Sequence, residues 1–371
     1  MLERARRIVV KIGSALLVEA ETGRLRRQWL ESVAADVAAL RARKQEVIIV
    51  SSGAIALGRR ALDLPKGSLR LEEAQAAAAA GQIRLAHAYM EILGAQGFSV
   101  AQILLTLDDS EERRRFLNAR ATLDTLLKMG AIPVINENDT VATAEIRFGD
   151  NDRLAARVAQ MCGADRLILL SDIDGLYSTD PRFDPSARFI PEVAEITREI
   201  EAMASGTSGD FGRGGMITKL MAAKIALSAG CAMAIAPGAK LNPLAAIEAG
   251  ERCTWFKPQA SPRAARKQWI AGLLDVKGAL TIDAGAIQAL QRGKSLLPAG
   301  VVAIEGRFSR GDAVLIKDAT GTVLGRGIVA YDDLDATLIK GSKSHEIEAL
   351  VGYRGRDEMI HRDDLIIEAG S

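Results

Sequence analysis

Two lysines stand beside glycine-containing turns, where their ammonium groups can contact a phosphate. Lys11 interrupts an apolar run and is followed by Gly13 and Ser14, and Lys219 lies about one turn into a helix predicted to follow a glycine-rich loop. Glycine lets backbone N–H groups approach an anion, and a helix N-terminus carries unpaired N–H groups. Taken singly, Lys11 is better explained as a solvated lysine at the end of a strand, and the glycine-rich loop can be a flexible cap of the helix. Together, the two lysines predict a clamp on a transferring phosphoryl group.

Carboxylates and amides are concentrated in two short segments, residues 136–139 (Asn-Glu-Asn-Asp) and residues 148–152 (Phe-Gly-Asp-Asn-Asp). Amides and backbone N–H groups can hold a substrate carboxylate, while an aspartate can bind a substrate ammonium or orient the two lysines. Any one of these side chains could instead be a turn residue or a helix cap. Two such segments so close together favour a functional role.

Histidine is scarce, and His87, His345 and His361 adjoin none of these segments. This absence is expected if the nucleophile is a carboxylate, because a group with a pKa of about 4 is ionised at neutral pH without a general base. The sequence of residues 292–295 (Arg-Gly-Lys-Ser) resembles the end of a P-loop but lacks the first glycine and a preceding strand, so we interpret it as a turn. No metal site made of protein side chains is expected.

Up to about residue 257, short apolar runs alternate with Ala- and Leu-rich segments, which predicts an α/β fold with an open, mostly parallel sheet sandwiched by helices. Polar residues follow each predicted strand, so the candidate side chains should meet in one crevice at the carboxyl ends of the strands. An alanine tract at residues 76–80 predicts a closely packed helix. The predicted strands are 8–10, 47–50, 100–105, 132–135, 167–170 and 233–236, and the predicted helices are 30–43, 72–93, 113–129 and 152–161.

The composition and the hydrophobic pattern of the sequence change after residue 257. Prolines and a basic run with Arg263, Arg266 and Lys267 mark residues 258–277 as a linker or domain edge. Beyond it, short β-like runs broken by glycine predict a small barrel. The expected domains are therefore a catalytic domain at 1–257, a linker at 258–277 and a small β domain at 278–371.

Composition limits the class of protein. The 371 residues are 48% hydrophobic and 26% charged, with 48 Lys and Arg against 47 Asp and Glu, which is ordinary for a globular chain of two or three domains. Three widely separated cysteines lack metal or disulfide spacing. No signal peptide or apolar run of membrane-spanning length occurs. A cytoplasmic protein with no membrane partner is expected.

Seven motifs occur in a fixed order along the chain: 11–14, 52–55, 116–120, 133–139, 149–152, 175–177 with 180–181, and 214–219. In residue type, order and spacing they resemble those of the amino acid kinase superfamily and, within it, the glutamate 5-kinases. The segment from about Gly278 is similar to the PUA domain that many bacterial members carry. The resemblance spans nearly the whole chain.

This resemblance implies phosphorylation of the γ-carboxylate of L-glutamate by ATP with Mg²⁺, which gives glutamyl 5-phosphate and ADP in the first step of proline synthesis. It implies that Lys11 and Lys219 neutralise charge on the phosphoryl group and that Asp150 orients them. The implied glutamate contacts are Ser52, Asp139 and Asn151, with Gly53 and Asn136 as neighbours. The implied nucleotide contacts are Lys11, Gly13, Ser14, Ser171, Asp172, Arg213, Gly214, Gly215, Met216, Ile217, Thr218 and Lys219. Arg213 and Ile217 depart from the small or hydroxylated residues common in that loop.

The resemblance also implies a homo-oligomer and feedback inhibition by proline. The alternatives within the fold are kinases of N-acetylglutamate, aspartate or a nucleoside monophosphate, although motifs 136–139 and 149–152 favour free glutamate. A protein of another class, an RNA binder, is suggested by the PUA-like segment. Because residues 278–371 hold 11 Lys and Arg against 14 Asp and Glu, that segment is acidic and RNA is not expected as a partner.

Overall fold

The protein is described by a computed structural model over residues 2–65, 67–141, 150–205, 215–272 and 275–367. The chain divides into two compact units, Met1–Pro262 and Arg263–Ser371. Within the described residues, no helix is long and apolar enough to cross a membrane.

The first unit is built on an eight-stranded sheet with the order β3-β4-β2-β1-β5-β9-β10-β8, while β6 and β7 form a separate pair. All the pairings from β3 through β9 are parallel, and β10 runs antiparallel to β9. The six predicted strands are β1 to β5 and β9, so the open, mostly parallel sheet is confirmed. Its strands are β1 Arg7–Ile12, β2 Glu46–Ser51, β3 Val100–Leu105, β4 Ile132–Glu137, β5 Arg166–Ser171, β6 Leu176–Tyr177, β7 Phe189–Ile190, β8 Glu192–Val193, β9 Ala232–Pro237 and β10 Thr254–Phe256.

Helices cover both faces of this sheet, and the four predicted helices correspond to α2, α4, α6 and α7. The helices described in this unit are α1 Ser14–Leu17, α2 Arg27–Ala42, α3 Ala54–Ala61, α4 Leu71–Gly94, α5 Leu107–Glu111, α6 Arg113–Lys128, α7 Asp150–Cys162, α8 Arg198–Ser205, α9 Met216–Ser228 and α10 Pro243–Glu248.

Strand β1 lies at the centre of the sheet and is buried throughout. Because side chains alternate along a strand, Ile8, Val10 and Ile12 join the core on one face, whereas Val9 joins the core on the other. The second face is the one against which α7 and α9 pack. Lys11 shares the parity of Val9 and therefore projects toward those two helices.

Helices α3 and α4 approach each other so closely that glycine is required at the contact. A Cβ on Gly58 would stand 1.7 Å from the carbonyl oxygen of Ala77, and a Cβ on Gly81 would stand 1.7 Å from that of Ala54. Ala77 belongs to the alanine tract and is fully buried. The predicted close packing of that helix is thus confirmed.

The second unit contains a five-stranded sheet with the order β12-β11-β13-β14-β15, in which β11 and β13 are parallel and the other neighbours antiparallel. This confirms the β-rich C-terminal part. Its described strands are β11 Val276–Ile282, β12 Val301–Gly306, β13 Ala313–Lys317, β14 Val323–Ile328 and β15 Leu365–Ile367, and its helices are α11 Pro262–Ala271, α12 Ala284–Gln291, α13 Asp333–Ile339 and α14 Ile347–Val351. Short 3-10 turns occupy Pro298–Gly300, Ser344–Glu346 and Arg362–Asp364.

The contact between α3 and α4 predicts a large difference between two glycine substitutions in α4. Gly81→Ala forces a methyl group into the backbone of α3 and should lower the free energy of unfolding by about 3 kcal/mol. Gly94→Ala is the matched control, because open space surrounds that Cβ position, and it should leave stability unchanged or raised by about 0.5 kcal/mol. Urea denaturation measures both. Equal stability of the two variants would contradict the tight crossing.

Candidate active site

Two buried lysines share one buried carboxylate at the centre of the first unit. The Nζ of Lys11 lies 2.5 Å from Oδ1 of Asp152, and the Nζ of Lys219 lies 3.0 Å from Oδ2. Asp152 is 1% exposed, Lys11 8% and Lys219 6%. The three groups form a compact ion triad with one more positive than negative charge.

The sequence positions the two helical members of the triad by periodicity. In α7, Asp152 lies on the same buried face as Ala155, Ala156 and Ala159, which follow at three, four and seven residues. In α9, the same spacing places Lys219 in line with buried residues Ala222, Ala223 and Ala226. Small side chains let two helices approach closely, so an aspartate and a lysine at the ends of these stripes can meet.

Opposing effects act on the carboxyl group of Asp152. Burial alone would raise the pKa of Asp152, because it disfavours the charged form. The ammonium groups of Lys11 and Lys219 outweigh that effect and hold the pKa below its ordinary value. Asp152 is therefore ionised at neutral pH and fixes both lysines in place.

The N-terminus of α9 adjoins the triad. Thr218 donates from Oγ1 to the carbonyl of Gly215 at 2.8 Å, and the same hydroxyl lies 3.4 Å from Oδ2 of Asp152. Gly215 caps the helix with an extended backbone, and the first-turn N–H groups of a helix carry partial positive charge. Of the neighbouring residues, Met216 is half-buried and Ile217 is 46% exposed.

The ends of neighbouring parallel strands bring the other predicted residues to the same edge of the sheet. Ile12 at the end of β1 pairs with Ser51 of β2 on one side and Leu170 of β5 on the other. Eight predicted residues lie within two positions of the carboxyl ends of these strands and of β4. They are Gly13, Ser14, Ser52, Gly53, Asn136, Asp139, Ser171 and Asp172.

Two amide oxygens near this edge are buried without a hydrogen bond from any described residue, Oδ1 of Asn136 and Oδ1 of Asn151. Asn136 is 2% exposed, and its Nδ2 donates to Oε1 of Gln82 on α4 at 2.7 Å. A buried polar atom without a partner is costly, so such acceptors commonly serve a bound ligand. Asp139, three residues after Asn136, is also buried.

The turn after β2 is held by a buried tyrosine. Tyr89 of α4 donates to Oγ of Ser51 at 2.9 Å, and Ser51 donates to the carbonyl of Ser52 at 3.0 Å. Gly53 then adopts φ +108°, which a residue with a side chain rarely adopts, and starts α3. These hydrogen bonds and the left-handed backbone of Gly53 hold the turn of Ser52 and Gly53 in one conformation.

The turns after β1 and β5 complete the edge. Gly13 caps α1, and Ser14 is its first residue. Ser171 is buried and donates from Oγ to Oδ1 of Asp172 at 3.0 Å, while its carbonyl accepts from the backbone N–H of Gly238 at 2.7 Å.

The aspartate between the two lysines is Asp152, a role that the sequence motifs did not indicate. The resemblance implies Asp150 as the orienting residue, and its side chain lies outside the described residues. Arg213 and Gly214 also lie outside the described residues. The signal for Asp152 was available, because only that aspartate continues the alanine stripe of α7.

The chain matches two family models, the amino acid kinase family over residues 6–237 and the PUA domain over residues 278–351. It is 65% identical to "Glutamate 5-kinase" of Paramagnetospirillum magneticum, covering 99% of this chain and 99% of that protein. It is 62% identical to "Glutamate 5-kinase 1" of Rhizobium meliloti, covering 100% of this chain and 94% of that protein.

A solved structure shares the fold at low identity. It is a carbamate kinase from Giardia lamblia bound to AMP-PNP, 16% identical, with a TM-score of 0.50, and the match covers 69% of this chain and all of that one.

The lowered pKa of Asp152 predicts a pH-dependent stability difference. Because that pKa is lower in the folded than in the unfolded chain, the stabilisation is fully present above about pH 4 and is lost as the pH falls through the folded pKa. Asp152→Asn leaves two buried ammonium groups without their counter-ion and should cost about 3 kcal/mol at pH 7. The deficit relative to the native chain should shrink in acid, as measured by urea denaturation.

The control is Asp63→Asn, since Asp63 is exposed and has a left-handed backbone that asparagine tolerates. This variant should match the native chain at both pH values. A deficit for Asp152→Asn that stays constant from neutral to acid pH would contradict the assignment.

Proposed function

The chain belongs to the glutamate 5-kinases of the amino acid kinase family, and from that membership we propose that it transfers the γ-phosphoryl group of ATP to the γ-carboxylate of L-glutamate. The observation that carries this proposal is the buried triad of Lys11, Asp152 and Lys219. Two fixed ammonium groups with surplus positive charge suit a phosphoryl group whose negative charge is spread over three oxygens.

In the proposed reaction, a γ-carboxylate oxygen of glutamate attacks the γ-phosphorus of ATP. The new oxygen–phosphorus bond forms as the bond to the bridging oxygen of ADP breaks, and no proton has to be removed from the nucleophile. Lys11 and Lys219 stabilise charge on the phosphoryl oxygens, while Asp152 holds them in position before the substrates bind. Because this arrangement is built in advance, little reorganisation is needed in the transition state.

We assign glutamate to the side of the sheet edge near β2 and β4. The buried acceptors on Asn136 and Asn151 suit the donors of an α-ammonium group, and Asp139 supplies the carboxylate that such a cation requires. Ser52 offers its hydroxyl and Gly53 its backbone N–H to a substrate carboxylate, whereas the N–H of Ser52 already donates to the carbonyl of Ile12 at 3.0 Å. Their rigid turn supports this part of the proposal.

We assign ATP to the opposite side, between β1, β5 and α9. Gly13 and Ser14 lie beside Lys11, and the N-terminus of α9 from Gly215 to Lys219 presents N–H groups to the phosphates. Ser171 and Asp172 are proposed to contact the nucleoside part. Arg213 and Gly214 stay in the proposed nucleotide set on sequence grounds alone.

Mg²⁺ enters the proposal as the counter-ion of the nucleotide phosphates. Within the described ranges, no three His, Cys, Asp or Glu side chains are grouped in a way that could hold a metal ion, and Asp152 is committed to the two lysines. The residues described here thus do not form a protein cage for Mg²⁺, although Mg²⁺ commonly keeps several waters and binds through substrate phosphates. No step is assigned to it.

From family membership we also propose the domain organisation, which is a catalytic domain at residues 1–257, a linker at 258–277 and a PUA-like domain at 278–371. On the same basis we propose feedback inhibition by proline and assembly into a homo-oligomer. A cytoplasmic location is proposed with them, since all three cysteines are free thiols in the described structure.

The direct test is a substrate-resolved kinase assay on the full chain. With ATP and Mg²⁺ present, ADP formation should depend on L-glutamate and should be far slower with N-acetylglutamate, aspartate or a nucleoside monophosphate. A hydroxylamine trap should detect the acyl phosphate product. Absence of glutamate-dependent ADP formation would refute the proposal. Faster turnover with another acceptor would show that the chain is a kinase of that acceptor.

The triad predicts that substitution of Lys219 changes kcat far more than it changes KM for glutamate. Lys219→Ala removes charge stabilisation made mainly in the transition state, so kcat should fall by at least about a hundredfold while KM for glutamate changes by less than about fivefold. Lys224→Ala is the control on the same helix, because Lys224 is exposed and pairs with Glu201. It should retain native kinetics. Equal kcat values in the two variants would show that Lys219 does not act on the phosphoryl group.

A further inference from the structure

A basic cleft of about 330 Å³ lies within the second unit. Four cationic side chains line it, Arg263, Lys267, Lys294 and Arg362, and none of the described residues lining it is acidic. Three of the four are exposed, and Lys267 is half-buried. The cleft thus concentrates positive charge in a unit whose residues 263–371 hold 15 Lys and Arg against 15 Asp and Glu.

None of these four cations forms an ion pair with a described residue. The nearby carboxylate of Asp364 pairs with Arg266. Four unpaired cations around one small volume repel one another, which costs free energy that a bound anion would recover. The cleft is therefore suited to a ligand with several negative charges.

The positions of the four cations are fixed by bonds between distant segments. Leu296 and Ile360 form a backbone bridge, and the N–H of Arg362 donates to Oγ of Ser295 at 3.0 Å. These bonds fix the turn that carries Lys294 against the turn that carries Arg362.

Helix α11 is tied to the same turn by a charged contact. The guanidinium of Arg266 donates to the carboxylate of Asp364 and, at 3.2 Å, to the carbonyl of Asp363. Arg263 and Lys267, which flank Arg266 along α11, are thereby held beside Arg362. The cleft is a preformed site, because its cations belong to three segments that the fold fastens together.

We propose that this cleft binds a small phosphate ester, an organic molecule with one or more phosphoryl groups. The volume is at the lower end of the range for small-molecule pockets. The cations recognise the phosphoryl oxygens, while Leu290 and Leu365 provide an apolar wall for the organic part. Arginine and lysine side chains are the usual protein ligands of such groups.

A polynucleotide fits the cleft less well than a small ester does. Single-stranded RNA is usually held by aromatic side chains on which its bases stack. No described residue lining the cleft is aromatic.

The test is a calorimetric titration of the full chain with inorganic pyrophosphate as the probe. The native chain should bind it, and Lys267→Ala/Lys294→Ala should weaken that binding by at least about tenfold, because two of four cations are removed. Lys340→Ala, which removes an exposed cation outside the cleft, should bind as the native chain does. Lys219→Ala should retain binding at the cleft, so titration of that variant separates the cleft from any pyrophosphate bound at the proposed kinase site.

Three outcomes decide the proposal. Loss of pyrophosphate binding in the double variant alone supports it, and a panel of phosphorylated metabolites then identifies the organic part. Equal binding by the double variant and the native chain overturns it. Tighter binding of a short single-stranded RNA than of pyrophosphate, lost in the same double variant, also overturns it in favour of an RNA site.

Discussion

The arrangement of the first unit depends on one buried carboxylate that neutralises only one of its two partner ammonium groups. Removing charges from water costs several kcal/mol per ion unless they are paired. Asp152 pairs with both Lys11 and Lys219, so the triad is tolerated in the core but keeps a surplus positive charge. That surplus is an attraction for phosphate that is present before any substrate arrives. The same interaction therefore limits stability and prepares the chemistry.

The triad requires close helix packing, and the sequence provides it with small residues instead of aromatic ones. Alanine stripes on α7 and α9 lead from the helix contact to Asp152 and Lys219. Gly58 and Gly81 likewise let α3 and α4 approach until their backbones are almost in contact. Helix α4 also contributes Tyr89 and Gln82 to the sheet edge. A chain with only 4% aromatic residues positions its polar groups by close backbone approach.

The strands and the crevice could be predicted from the sequence because each buried strand is an apolar run that ends in polar residues. The role of Asp152 was overlooked because the helix was predicted to begin at that residue, where an aspartate is an ordinary cap, although its spacing from the alanines of α7 already marked it. With α7 beginning at Asp150, the helical phase instead places Asp152 on the buried stripe. Contacts such as that of Asn136 with Gln82 join elements 54 residues apart and leave no periodic signal. The basic cleft likewise combines segments interpreted separately as a linker and a turn.

The two cationic sites show that the same residue types serve different ends according to how their charge is balanced. In the triad, a buried aspartate fixes two lysines and leaves a small surplus, which suits a group that must be held, transferred and released. In the cleft, largely exposed cations have no acidic partner among the described residues, and a backbone bridge, the Ser295 hydroxyl and the Arg266–Asp364 ion pair fasten the segments that carry them. Water screens exposed charge strongly, so only several such cations together attract an anion selectively. The net charge of +1 for the whole chain thus conceals two local concentrations of positive charge.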